Sequence, residues 1–128
     1  MENKKIVKTT KAPQAIGPYS QAVVLGDMVY ASGQLGMDPE TMNLEESVAA
    51  QAHQALKNVK AILEEAGSGL ENVVKTTVFL ADINDFVEVN EIYAQYFTEP
   101  YPARSAVEVA NLPKFAKVEI EVIATVKK

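Results

Sequence analysis

One arginine, one histidine and no cysteine set the chemistry that this 128-residue chain can perform. Arg104 is the only arginine, and it lies in the stiff segment from Tyr101 to Ser105, which contains Pro102. A planar guanidinium grips a carboxylate through two parallel hydrogen bonds, whereas a lysine ammonium is a mobile point charge. Arg104 is therefore a candidate carboxylate-binding residue, with a surface ion pair to an acidic side chain as the alternative.

The single histidine and the absence of cysteine exclude several catalytic classes. A Ser-His-Asp triad would have to recruit His53 from the middle of a predicted helix, and no Gly-x-Ser-x-Gly turn is present. One histidine cannot form the usual nitrogen-rich transition-metal site. The acidic segment 82–85 lacks the glycine and the distal glutamate of a calcium loop, so helix capping explains it better. We therefore expect no metal and a structural role for His53.

The groups that remain are sufficient for metal-free hydrolysis. Arg104 could anchor a substrate carboxylate, and a strand carboxylate such as Glu119 could position and activate water. Backbone N–H groups of the Ser32-Gly33 turn could stabilise developing charge, and Tyr19 supplies a hydroxyl. Each has a structural alternative: Glu119 as an ion-pair partner, Tyr19 as a packing ring and Gly33 as a turn former.

Length, charge and composition limit the remaining possibilities. The length fits a single domain over residues 1–128. A net charge of −5 with scattered lysines argues against a nucleic-acid partner. No apolar segment approaches the roughly 20 residues that cross a bilayer, and the N-terminus lacks the apolar region of a signal peptide. Together with the absence of cysteine, this predicts a cytoplasmic protein without a membrane partner.

A β-hairpin is predicted near the N-terminus. The apolar segments 22–25 and 28–31 flank a two-residue Gly-Asp loop, which is typical of a tight hairpin turn. Continuing that ladder brings Tyr19 beside Ser32 and Gly33. Two stretches that are distant in sequence would then share one end of the hairpin.

Two helices are predicted further along the chain. Apolar residues recur at spacings of three and four from 47 to 66, with Ser47 as cap and Gly67 as stop. A second helix should begin near residue 84, where Asp85 and Glu88 have capping-box spacing. Asn90 falls on its apolar stripe, as either a buried amide or a ligand contact.

Three further strands complete the predicted sheet, at residues 73–81, 103–109 and 117–126. If the last two formed an antiparallel hairpin, Glu119 would lie opposite Arg104. The element order predicts an α+β fold, in which two helices cover one face of a mixed sheet of about six strands. The other face is too apolar to stay in water, so sheets of several subunits should pack together.

Several motifs resemble those of the RidA/YjgF/UK114 reactive-intermediate (imine) deaminase family, nearly from end to end. They are Gly17-Pro18-Tyr19-Ser20-Gln21-Ala22-Val23, Ser32-Gly33-Gln34-Leu35-Gly36, Val78-Phe79-Leu80-Ala81-Asp82, and Pro102-Ala103-Arg104-Ser105 followed by Val118-Glu119-Ile120-Glu121. Any one of them alone is weak, but their joint order and spacing are highly specific.

The resemblance implies a chorismate-mutase-like (YjgF-like) fold and a homotrimer whose sheets pack into a central barrel. Its sites would lie in clefts between subunits. The implied reaction is hydrolysis of 2-iminopropanoate and 2-iminobutanoate to 2-oxo acids and ammonia, without a cofactor. Such imines leak from pyridoxal-phosphate enzymes such as serine and threonine dehydratases.

Site roles follow from the resemblance position by position. Arg104 would bind the substrate carboxylate, and Glu119 would position water. The cleft would be lined by Tyr19, Ser32, Gly33 and Asn90. Ala106 stands where family members often carry cysteine, so an essential thiol is excluded and the substrate range becomes the open question.

Two other functions stay open at this point. A non-catalytic sensor or binding module for 2-oxo acids would need Arg104 but could dispense with Glu119. The family is also linked to RNA cleavage and translation inhibition, which the acidic charge of this chain disfavours.

Overall fold

A seven-stranded mixed sheet with two α-helices forms the fold, and the structure, a computed structural model, describes residues 3–127 of it. The strands are β1 (Lys5–Val7), β2 (Ala22–Leu25), β3 (Met28–Ala31), β4 (Gln34–Leu35), β5 (Val73–Leu80), β6 (Ala103–Glu108) and β7 (Val118–Thr125). The helices are α1 (Val48–Glu65) and α2 (Phe86–Tyr93). The strand order is β1-β2-β3-β7-β5-β6, and β4 also pairs with β7. The α+β prediction is confirmed, but about six strands was too few, because a two-residue strand leaves no periodicity to detect.

The predicted hairpin is confirmed with its register. Leu25 pairs with Met28 and Val23 with Tyr30 across β2 and β3. Beyond the paired strands, the Ser32 N–H donates to the Gln21 carbonyl at 2.9 Å. The end of the hairpin therefore brings the segment after Tyr19 to Ser32, as the sequence predicts.

Helix α1 forms where the apolar periodicity places it. The Ser47 hydroxyl accepts a hydrogen bond from the Ala50 N–H at 3.1 Å, and Gly67 has a φ of 78°, which ends the helix at no steric cost. The buried face of α1 packs on the side of the sheet where alternate residues of β5 and β7 are buried. Its fully buried apolar residues are Ala52, Ala55, Leu56, Val59, Ile62 and Leu63.

Helix α2 begins at Phe86, directly after the predicted Asp85, but the predicted capping bond is wrong. Asp85 makes no side-chain capping bond; instead the Asp82 carboxylate accepts from the Asn84 N–H at 2.9 Å and caps a short 3₁₀ turn over 83–85. A 3₁₀ turn at a helix start gives hydrogen-bond partners to backbone N–H groups, which would otherwise need a capping side chain at residue 85. Val89 and Tyr93 are buried on the side that packs against the sheet.

The β6–β7 hairpin that the sequence left as one possibility does not form. β5 lies between these strands, parallel to β6 and antiparallel to β7. Helix α2 lies in the connection between β5 and β6, and such a crossover is what joins parallel neighbours. Arg104 therefore pairs with Thr76, whereas Glu119 pairs with Phe79 on the other side of β5.

A strained turn precedes β7 and yields a stability prediction. Lys114 and Phe115 have φ values of 58° and 56°, and Phe115 is 88% exposed. A left-handed conformation costs an L-residue about 1 kcal/mol, and glycine avoids that cost. We expect Phe115→Gly to raise the free energy of unfolding by about 0.5 kcal/mol in denaturant titrations. Phe115→Ala keeps the β-carbon and should give no gain; a loss in both variants would instead place Phe115 in a contact between subunits.

Candidate active site

Arg104 lies on the helix-covered side of the sheet, against α2. Its Nη1 donates to the side-chain amide oxygen Oδ1 of Asn90 at 2.6 Å. The guanidinium carbon lies 4.7 Å from the ring centre of Tyr93 and 5.3 Å from that of Phe86. Stacking on two aromatic rings and the hydrogen bond to the Asn90 amide hold the planar guanidinium in one orientation. Among residues 3–127 Arg104 forms no ion pair, so the surface ion pair considered as its alternative is absent there.

A cavity of about 390 Å³ opens beside this guanidinium. Its wall is formed by Asn90, Tyr93, Ala94, Tyr101, Pro102 and Arg104. The Tyr93 hydroxyl is hydrogen-bonded to the Thr76 hydroxyl at 2.9 Å, and burial is the main cause that raises the Tyr93 pKa. Tyr93 therefore stays neutral beneath the guanidinium at physiological pH. The cavity offers one permanent positive charge with apolar and amide walls, which suits a small carboxylate.

Glu119 lies on the opposite face of the sheet. A second cavity, of about 320 Å³, has Tyr19, Gly33, Lys114 and Glu119 in its wall. A β-carbon at Gly33 would meet the end of the Glu119 side chain, so a larger residue there would displace this carboxylate. Burial, and to a lesser extent the neighbouring Glu121, raise the pKa of Glu119. A half-buried carboxylate without an ion-pair partner among the described residues is a suitable proton acceptor.

The two candidate catalytic residues are far apart within one chain. Arg104 and Glu119 are separated by two strand spacings and three residues along β5, which is about 14 Å between Cα atoms. Their partners Thr76 and Phe79 are an odd number of residues apart, so the two side chains point to opposite faces of the sheet. One subunit alone therefore holds two half-sites: the arginine pocket around Arg104 and the carboxylate pocket around Glu119.

The other predicted site residues divide between these pockets or fall outside them. Tyr19 and Gly33 lie in the carboxylate pocket, and Asn90 lies in the arginine pocket. Ser32 directly precedes Gly33 but does not line the carboxylate pocket, and its hydroxyl donates to the Ser20 carbonyl at 2.6 Å. Ala106 pairs with Val78 and packs against the core on the side of Arg104, without lining the arginine pocket.

His53 takes no part in either pocket. Its Nδ1 is hydrogen-bonded to the Tyr96 hydroxyl at 2.9 Å, which links α1 to the segment after α2. Within residues 3–127, no three His, Asp or Glu side chains lie close enough together to hold a metal ion. In the same part of the chain, no helix is both long and apolar enough to span a membrane.

The sequence reasoning missed the aromatic residues that surround the guanidinium. Phe86 and Tyr93 belong to the apolar stripe of α2 on which Asn90 falls, and both contact Arg104. The available signal was their spacing around Asn90, since residues at i, i+4 and i+7 share one helix face. Tyr101 and Lys114, which line the two pockets, carried no distinguishing pattern.

Comparisons with known proteins agree with this fold. The profile of a family described as Endoribonuclease L-PSP matches residues 9–126. A 2-iminobutanoate/2-iminopropanoate deaminase of Homo sapiens is 57% identical over 122 residues, which cover 94% of this chain and 89% of that protein. A protein of the same name from Salmonella typhimurium is 56% identical over 123 residues, with 94% and 96% covered.

Solved structures agree equally well. RidA from an Antarctic Psychrobacter species is 54% identical, with a TM-score of 0.93 and 95% of this chain and 99% of that chain covered. Escherichia coli TdcF with bound serine is 49% identical, with a TM-score of 0.92 and 96% and 99% covered.

Fold and pockets together define an α+β protein that presents an arginine pocket on one face of its sheet and a carboxylate pocket on the other. The chain belongs to the YjgF/RidA family, the family whose profile carries the description Endoribonuclease L-PSP. The resemblance read from the sequence motifs is thereby confirmed.

Proposed function

We propose that this protein is a metal- and cofactor-free hydrolase that converts 2-iminobutanoate and 2-iminopropanoate to 2-oxo acids and ammonia. The deaminase names of relatives at 54–57% identity support the reaction. The observation that carries the proposal is the fixed Arg104 guanidinium, which has no ion-pair partner among residues 3–127 and borders a cavity of suitable size. A small 2-imino acid offers the carboxylate that such a guanidinium binds.

The proposed chemistry needs one anchor and one proton-transfer group. Arg104 holds the substrate carboxylate, and the Glu119 carboxylate takes a proton from water as the water oxygen attacks the imine carbon. The C=N electron pair moves to nitrogen, and the Gly33 N–H is available near the reacting groups. Protonated Glu119 then returns its proton to the nitrogen, which gives a carbinolamine. Glu119 next takes the hydroxyl proton and passes it to the nitrogen as the carbonyl forms and the C–N bond breaks, so ammonia and a 2-oxo acid are released.

The proposed site requires more than one subunit. Because the arginine and carboxylate pockets lie on opposite faces of one sheet, a substrate cannot touch both within one chain. Joining the arginine pocket of one subunit to the carboxylate pocket of the next completes the site. Such head-to-tail contacts close into a ring, and the family resemblance favours a ring of three subunits, a homotrimer. The exposed apolar side chains on and around the sheet favour self-association, among them Tyr30, Val74 and Val107.

A coupled assay tests the reaction directly. A threonine or serine dehydratase generates the imine in situ, and release of the 2-oxo acid is followed with and without this protein. We expect faster 2-oxo acid formation in proportion to added protein, in chelator-treated buffer and without added cofactor. No acceleration with any of several amino-acid-derived imines would remove the proposal.

The pH dependence of turnover follows from Glu119. Its pKa is raised above the ordinary 4.5, mainly by burial, and only its ionised form accepts a proton from water. We expect kcat to fall as pH drops through this raised pKa, so the acid limb has its midpoint above pH 4.5. Initial rates with a dehydratase that is kept in excess at every pH measure this limb. A flat profile down to pH 4.5 would assign proton transfer to another group.

Two alternative functions, a 2-oxo acid sensor and a ribonuclease, can each be tested separately. A 2-oxo acid sensor would bind 2-oxobutanoate in calorimetry and show no turnover in the coupled assay. Because the family is described as Endoribonuclease L-PSP, the purified protein should also be tested for RNA cleavage. We expect none, since a net charge of −5 gives little affinity for phosphate. We also propose a cytoplasmic location, where dehydratases would supply the imines.

A further inference from the structure

Two amide side chains lie on the buried face of α1, where apolar packing would be expected. Gln51 is 2% exposed and Asn58 is fully buried. A buried amide must find hydrogen-bond partners for its oxygen and its nitrogen, or it destabilises the fold. Most of the partners that these two amides find are backbone groups close to the carboxylate pocket.

Gln51 links the start of β7 to the exit of β4. The Lys117 N–H donates to Gln51 Oε1 at 2.8 Å, and Gln51 Nε2 donates to the Glu45 carbonyl at 2.9 Å. The Glu45 N–H in turn donates to the Gly36 carbonyl at 3.0 Å. A β-carbon at Gly36 would collide with the Gln51 backbone, so the chain leaving β4 touches the helix at this residue.

Asn58 supports the same segment from a position two helical turns after Gln51 on α1. Its Nδ2 donates to the carbonyls of Leu35 at 3.2 Å and Met37 at 2.9 Å, and its Oδ1 accepts from Gln54 at 2.8 Å. Leu35 and Met37 both line the carboxylate pocket. The amides of α1 therefore fix the wall of a pocket that opens on the other face of the sheet.

These contacts reach Glu119 through the strands. Glu119 lies two residues after Lys117, and its strand partner is Leu35 in β4. Gly33, directly before β4, lies so close to the Glu119 carboxylate that a β-carbon at residue 33 would displace it. A small shift of β4 against β7 would change that contact and increase the solvent exposure of the carboxylate.

We propose that Gln51 is a positioning residue for Glu119: it fixes the start of β7 against the exit of β4 and thereby holds the Glu119 carboxylate against Gly33. Gln51 touches no substrate and acts only through these strands. The inference rests on the proposed function, in which Glu119 activates water. It goes beyond a structural role, because a merely structural amide would stabilise the fold without altering the environment of one carboxylate.

The variant Gln51→Met keeps the side-chain volume and removes both hydrogen bonds. We expect kcat to fall about tenfold to a hundredfold, as a small misplacement of a catalytic group does. KM should stay unchanged, since Arg104 binds the carboxylate from the other pocket. As Glu119 becomes more hydrated, its pKa should fall and the acid limb of kcat should move to lower pH. The other titratable groups around it, Glu121 on β7 and Tyr19 and Lys114 in the pocket wall, are unchanged.

A measurement that does not depend on turnover separates this inference from the proposed function. The carboxyl carbon of Glu119 is titrated by ¹³C NMR in the full-length protein and in Gln51→Met. We expect a lower pKa in the variant, and this result stands even if the wild-type protein hydrolyses no imine. Val59→Ala, which removes buried methyl groups from the same helix, serves as the matched control for lost stability.

The outcomes are distinct. If Gln51→Met loses thermal stability like Val59→Ala but keeps the wild-type kcat and Glu119 titration, Gln51 is only structural and the inference is overturned. Gln51→Leu removes the same two hydrogen bonds with a smaller apolar side chain, so the experiment stays decisive if Gln51→Met does not fold. Folded Gln51→Leu with a wild-type Glu119 titration would also overturn the inference.

Discussion

Replacing Arg104 with alanine should abolish imine hydrolysis while leaving the fold intact. The guanidinium is the one permanent charge in the wall of the arginine pocket, and two charge-assisted hydrogen bonds to a carboxylate are lost with it. We expect kcat/KM to fall by at least about a hundredfold, since each such bond contributes about 1.5–3 kcal/mol. The dehydratase-coupled assay measures this loss, and calorimetry should show that 2-oxobutanoate binding disappears with it.

Two control variants make the Arg104 result specific. Arg104→Lys keeps the positive charge but loses the planar fork and most of the stacking on Tyr93, so it should recover only a small part of the activity. Lys57→Ala removes an exposed cation from α1 and should behave as wild type. If Arg104→Ala retains both turnover and 2-oxobutanoate affinity, the carboxylate anchor lies elsewhere and the proposed function loses its main support.

The local elements could be predicted from the sequence because their signals are local. The Gly-Asp loop defined the register of the β2–β3 hairpin, and the periodicity from 47 to 66 defined α1 with its Ser47 cap. Arg104 and Asn90 were both nominated from residue type and position, and the structure joins them by a 2.6 Å hydrogen bond. These inferences needed only neighbours within a turn or two of the chain.

Strand order could not be predicted in the same way. Consecutive strands often pair, which makes one hairpin of residues 103–109 and 117–126 a natural possibility from the sequence. The helix α2 makes β6 parallel to β5, and β5 then occupies the place next to β7. Nothing in the alternation of β6 or β7 distinguishes these neighbours, because side-chain periodicity reports the face of a strand and not its partner. That hairpin would place Arg104 and Glu119 together in one chain, whereas the structure places them on opposite faces.

Glu119→Gln is the second change with a large expected effect. The amide fills the same space but cannot accept a proton from water, so kcat should fall about a hundredfold to ten-thousandfold with KM nearly unchanged. Stability should move the other way. Burial raises the pKa of Glu119 in the folded protein, so its ionised form destabilises the fold at neutral pH, and glutamine removes that cost. We expect a higher Tm than wild type at pH 7 and a smaller difference as pH falls toward 4.5.

Mixing the two inactive variants tests whether the site is shared between subunits. If each site takes Arg104 from one subunit and Glu119 from the next, a hybrid of Arg104→Ala and Glu119→Gln subunits contains some sites with both native residues. Random assembly at equal amounts makes this about one site in four, so co-refolding should restore about a quarter of wild-type activity. A site within one chain would stay inactive in every hybrid, because each subunit lacks one of its two groups. Restored activity would therefore place the reaction at the junction of two subunits, where opposite faces of two sheets supply the anchor and the base.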